Sequence, residues 1–155
     1  MDEEKIRSSP CDLYVTSLSV TDRREVVFDV KQAPPGTIKD VLLASAFFPA
    51  FKNEKLGGKT YLDGGMVNNV PVDVLAERGY KNLIVIRIYG IGVDTERRAD
   101  LPEDVNVYRI APRRNLGGIL EFEKKRTRRS MTLGYFDANR LLYDLAGRKY
   151  YFYLP

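Results

Sequence analysis

Hydrophobic and polar positions along the chain change period several times, and the changes predict an α/β order. "DLYVTSLSV" and "EVVFDV" are rich in β-branched and aromatic residues and are joined by the polar stretch "TDRR", the pattern of two strands in a hairpin. "PPG" then breaks the chain. In "TIKDVLLASAFF", Thr37 and Asp40 stand at capping-box spacing and Ile38, Val41, Leu42 and Ser45 share one face, which predicts a helix ended by Pro49. After a turn at Gly57-Gly58, Thr60, Tyr61 and Leu62 suit a strand. Asn69 is placed to cap a helix with Pro71 in its first turn, Val70, Val74 and Leu75 give that helix an apolar face, and Gly79 is a suitable stop. "NLIVIRI", residues 82 to 88, is a nearly continuous apolar run, the pattern of a central parallel strand buried on both faces. A polar connection, "GIGVDTERRADLPED", leads to the strand "VNVYRI". A long helix is predicted within "LEFEKKRTRRSMTLGYFDANRLLYDL", with Thr127, Met131, Ala138, Leu142 and Leu145 near one face, and "KYYFYL" closes the chain as an aromatic strand or docked tail.

Composition narrows the class. The 155 residues fit one domain, 1–155, and a hydrophobic content of 44% suffices for a core. The formal charge of +4 is too small to name a partner. One cysteine, Cys11, excludes an internal disulfide, and the charged start "MDEEKIRSSP" has no signal-peptide character. No run approaches the roughly 18 apolar residues of a spanning helix, so a cytoplasmic protein, at most peripheral at a membrane, is expected. The chain has no histidine, so it cannot by itself build a Ser-His-Asp triad, a Cys-His dyad or a His-ligated zinc site. Neither metal nor cofactor is expected.

Candidate chemistry concentrates in "TYLDGGMVNNVPVDVL". Asp63 stands at the carboxyl end of a predicted strand, where open α/β sheets place their active sites, and Gly64 and Gly65 follow with backbone freedom closed to other residues. Asp-Gly is also a common hairpin turn, and by itself the pair reads as one.

The ordered set of segments goes further than the pair. Asp63-Gly64-Gly65 with Asn68, Asn69 and Pro71, "ASAFFPAF" before them, the apolar strand after Gly79 and "LGGILEFEKKRTRRSMTLGYFDA" resemble the second half of a bacterial patatin-like phospholipase domain. The resemblance implies a three-layer α/β/α fold around a mixed, mostly parallel sheet, and hydrolysis of acyl esters in phospholipids and other lipids. It also implies a Ser-Asp dyad, in which Asp63 orients and deprotonates a serine, a task that needs a carboxylate held rigidly within hydrogen-bond reach of a hydroxyl. Gly64 and Gly65 would leave room for serine and ester. Phe48, Pro49 and Phe51 would lie near the acyl-binding cleft, although aromatic residues at a helix end are as readily plain core. Asn68 and Asn69 look like loop and cap residues.

The chain departs from the family pattern at the nucleophile. None of its six serines has glycine two positions away on both sides, as the strained nucleophile elbow G-x-S-x-G requires. Ser45, in "LASAF", lies within a predicted helix. The glycine-rich oxyanion loop is missing too. The expectation is a C-terminal part of a domain that carries the base, pairs with a serine-bearing N-terminal half or self-associates, and is inactive alone; the alternative is a non-catalytic patatin scaffold for partner or membrane-surface binding. Eight basic residues between Arg109 and Arg129 form a solvated face or a surface for anionic headgroups. They lack the aromatic interleaving and the motif of a nucleic-acid binder, so no nucleic acid is expected.

Overall fold

The computed structural model describes residues 1–49, 55–88, 100–118, 121 and 123–143. These fall into two units, the first formed chiefly by residues 1–79 and the second by residues from 80 onward. Both mix helices and strands.

The first unit begins with a short helix, α1 (Glu3–Arg7), followed by strands β1 (Tyr14–Ser19) and β2 (Arg24–Asp29), a 3-10 turn at Val30–Gln32 and helix α2 (Ile38–Ser45). Strands β3 (Lys55–Leu56) and β4 (Lys59–Asp63), a 3-10 turn at Gly64–Met66 and helix α3 (Val72–Ala76) complete it. The strand order is β2-β1-β4-β3. β1 and β2 pair as the expected hairpin, Tyr14 opposite Asp29 and Ser19 opposite Arg24. β3 and β4 form a second hairpin whose two-residue loop is Gly57-Gly58, with φ of 56° and 78°. Two successive positive φ values are what a type I′ hairpin demands, and only glycine takes them without strain.

Every pairing in this sheet is antiparallel, so the mostly parallel sheet expected from the sequence is not what surrounds Asp63. Hairpins of two and four loop residues are too short to return a strand in parallel.

Directly opposed residues of an antiparallel pair share a face. Val15, Ser17 and Ser19 therefore lie with Phe28 and Val26 of β2 and with Tyr61 and Asp63 of β4. Helix α2 packs on this side, where Val30, Ala33, Ile38 and Val41 form the core with Val15, Phe28, Leu42 and Leu56 around it. Phe28 and Tyr61 meet edge to face, centroids 5.5 Å apart. The other face carries Tyr14, whose ring holds the Arg78 guanidinium 4.5 Å from its centroid, just past the end of α3.

Helices α2 and α3 start differently from what the sequence predicts. Thr37 is the N-cap of α2, yet its hydroxyl donates to the Pro34 carbonyl and caps nothing. The carboxylate of Glu3 takes over, accepting from Ile38 N–H at 3.0 Å and Gly36 N–H at 2.9 Å. The N-cap of α3 is Pro71 rather than Asn69. Gly79 ends the turn after α3 at φ 85°, as expected of a helix stop.

In the second unit β5 (Asn82–Ile86) and β6 (Asn106–Ile110) pair in parallel, and α4 (Lys124–Leu142) packs against β6. β5 is parallel as expected but alternates in exposure: Leu83 and Val85 are buried, whereas Ile84 is 63% and Ile86 72% exposed. It is thus covered on one face only. α4 departs further. The face expected to be apolar and inward points out, with Met131 71% and Leu142 69% exposed. The sheltered stripe is Arg126, Ser130, Leu133, Asp137 and Arg140, at intervals of three and four. Asp137 is buried there and accepts from Arg113 Nε, and that ion pair turns the polar stripe inward. Leu145 and "KYYFYL" lie outside the described residues, as does most of "GIGVDTERRADLPED".

Candidate active site

Asp63 is the last residue of β4, opposite Ser17 of β1. Its backbone is held from a third direction: the Asp63 N–H donates to the Phe47 carbonyl at 2.8 Å, so the chain leaving α2 runs beside the strand end. Two residues earlier, Ser45 Oγ donates to the Thr16 carbonyl at 2.7 Å, just beyond the β1–β4 ladder. Ser45 and Phe47 therefore fasten the segment after α2 to both strands at the place where Asp63 emerges. The predicted helix had run on to Pro49; it stops at Ser45, and the "SAF" segment serves as this clamp.

The carboxylate is half committed. Oδ1 accepts from Gly65 N–H at 2.7 Å, the bond of an N-cap to the 3-10 turn that follows. Oδ2 makes no hydrogen bond among the described residues. Asp63 is neither sealed nor fully exposed.

The glycines act through space rather than through backbone angle. Neither Gly64 nor Gly65 has positive φ, contrary to the freedom expected of them. A Cβ on Gly64 would lie 2.2 Å from the Thr16 carbonyl oxygen and 2.3 Å from its Oγ1, so the absent side chain lets the turn settle on β1. A Cβ on Gly65 would lie 3.0 Å from Asp63 Oδ1 and 3.1 Å from Asn69 Oδ1. Here the missing atom leaves the carboxylate its place.

The sequence marks Asn68 as a loop residue, and the structure gives it more to do. It is 2% exposed, and its Nδ2 donates to Glu25 Oε1 of β2 and to Asp73 Oδ1 of α3, both at 3.1 Å. Its own N–H reaches the Gly64 carbonyl at 2.8 Å. One amide thus ties the turn after Asp63 to the sheet and to the next helix. No periodicity marks such a residue, because both its partners come from outside the turn.

Phe48 is half-buried and Pro49 exposed beside the clamp, while Phe51 lies outside the described residues. A cavity of about 500 Å³ opens over the sheet, lined by Phe28, Val41, Leu56, Lys59 and Tyr61 among others. Asp63, Gly64, Gly65, Phe48 and Pro49 do not line it. Ser17 is fully buried, and its Oγ has no hydrogen-bond partner. Among the described residues no group of acidic, histidine or cysteine side chains converges to hold a metal ion, and no helix is long and apolar enough to cross a membrane.

Residues 3–76 match the family model described as patatin-like phospholipase. The match runs from α1 to the end of α3 and takes in the clamp, Asp63, both glycines and Asn68. It covers just under half of the chain, and the segment resembling the family around 116–138 lies beyond it. No curated protein matches the chain.

Proposed function

We propose that the patatin-like segment, residues 3–76, is the aspartate-bearing part of a lipid acyl hydrolase of three-layer α/β/α architecture, and that Asp63 is the base of its Ser-Asp dyad. The observation that carries this reading is the half-committed carboxylate. Gly65 N–H fixes Oδ1, the Phe47 carbonyl fixes the backbone, and Oδ2 keeps its acceptor capacity for one more donor. A serine hydroxyl brought to Oδ2 would be oriented by a carboxylate that need not reorganise and would pass its proton to it on attacking an ester carbonyl.

The serine has to come from outside these 155 residues. Ser45 spends its proton on Thr16, and Ser17, though opposite Asp63, is shut off from any ester. Helix α2 on one face of the sheet and Arg78 against Tyr14 on the other support a layered arrangement. Phe48 and Pro49, next to the Phe47 carbonyl that holds Asp63, are placed to border an acyl chain there.

The test is Asp63→Asn in a domain completed with its serine-bearing half. The amide keeps size and turn geometry but cannot take the proton, so ester hydrolysis falls by orders of magnitude while the fold survives. Near wild-type turnover in that variant would return "LDGG" to an ordinary turn. The second reading, a scaffold without catalysis, is favoured by the sealed Ser17 and the tethered Ser45, and it would then stand.

A further inference from the structure

Helix α4 carries two exposed features on one side. Met131, Tyr135 and Leu142 are 71%, 58% and 69% exposed, and their spacing of four and seven residues stacks them in a single stripe. Carried toward the N-terminus, the same stripe passes through Arg128 and Lys124, with Lys125 on its flank and Arg129 turned to the other side of the helix. All four of these cations are exposed and make no ion pair among the described residues. The fifth cation of the run, Arg126, is engaged by Glu121. Positive charge at a helix N-terminus opposes the macrodipole, and among the described residues only Glu123 at the N-cap and Glu121 against Arg126 offset it there.

We infer that this face of α4 docks on an anionic lipid bilayer, the stripe Met131–Tyr135–Leu142 entering the interface and Lys124, Lys125 and Arg128 meeting the headgroups. A basic, low-hydropathy helix with one apolar side is the form that lies in the interfacial plane, and tyrosine suits the headgroup level. A second copy of the chain fits less well. The sole carboxylate within the helix, Asp137, is buried against Arg113, so a facing α4 would bring cations to cations. The inference stands apart from the hydrolase reading, since it uses no residue of 3–76.

The experiment is sedimentation of the full chain with phosphatidylglycerol-containing vesicles and with phosphatidylcholine vesicles. Binding is expected to the former, weakening with salt. Lys124→Gln with Arg128→Gln should lower the partition roughly 25-fold, about fivefold per cation. The chain has no tryptophan, so Tyr135→Trp adds a single reporter whose emission should shift to the blue on anionic vesicles. All these positions are exposed, so the variants keep the parent circular dichroism. Equal sedimentation with both vesicle types, indifference to the double charge variant, or unchanged indole emission on binding would overturn the inference. So would retention on immobilised polyglutamate without vesicle binding, or a solution mass twice that of the monomer that Tyr135→Ser restores to monomer.

Discussion

Gly64 and Gly65 share a dipeptide but meet different neighbours, and their substitutions should differ accordingly. A methyl group on Gly64 meets the backbone and hydroxyl of Thr16 in the middle strand, where nothing can yield locally. Gly64→Ala should therefore lower the urea midpoint by the equivalent of about 1–3 kcal/mol or more. Gly65→Ala presses on the movable side chains of Asp63 and Asn69, so its stability loss should be smaller and its effect on hydrolysis by the complete domain larger. Asn68→Ala removes a single amide yet strips Glu25 and Asp73 of a shared donor; a loss of about 1–3 kcal/mol is expected in the same measurement. Asp73 is thereby a structural partner of the turn, and an Asp73→Asn variant reports on loop position. Ser17 gives the opposite expectation. Its hydroxyl is buried without a partner, so Ser17→Ala should leave the urea midpoint unchanged or raise it.

At the scale of elements, α2 depends on α1. The carboxylate that satisfies its first N–H groups belongs to Glu3, 35 residues earlier, and Arg7 adds a hydrogen bond to the same carboxylate. The Gly36 N–H above all, with those of Ile38 and Arg7, holds the Glu3 carboxyl below its ordinary value of 4.5. A group whose acidity is strengthened by folding stabilises the fold above its unfolded pKa and ceases to as pH falls through the folded one. Glu3→Gln should accordingly melt below the parent at neutral pH, with the gap closing as the solution is taken below pH 4.5. A gap that stayed constant across that range, followed by circular dichroism, would mean that the interaction is not ionic. The sequence pointed to Thr37 for this cap because capping rules see only neighbours in the chain. The same limit explains α4, whose apolar stripe was legible while its outward direction was not. Orientation there follows from Arg113 reaching Asp137, and no helical period encodes a partner on another element.

For the whole molecule, the exposed apolar surface around β5 points to self-association. Ile84, Ile86 and Ile88 stand 63–72% exposed around β5, more than a soluble surface usually leaves bare in one strand. The isolated chain should therefore gain mass with concentration in light scattering, and Ile84→Lys with Ile86→Lys should shift it toward monomer. It should also fail to turn over p-nitrophenyl esters, since neither serine near Asp63 is available as a nucleophile. Hydrolysis abolished by Ser45→Ala would contradict the hydrogen bond to Thr16. Much was set by sequence alone: the β1–β2 hairpin, because two β-branched runs joined by a short polar stretch dictate it locally, the turn at Gly57-Gly58, the position of Asp63 at a strand end, and the resemblance at "ASAFFPAF" and Asp63-Gly64-Gly65, segments that the family match over residues 3–76 includes. What needed the tertiary structure was every relation between distant segments. The antiparallel sheet around Asp63, the clamp from Ser45 and Phe47, the amide of Asn68 between two carboxylates and the reason for each glycine all arise from atoms far apart in the chain, whose approach is governed by packing and shared hydrogen bonds rather than by the pattern of any one segment.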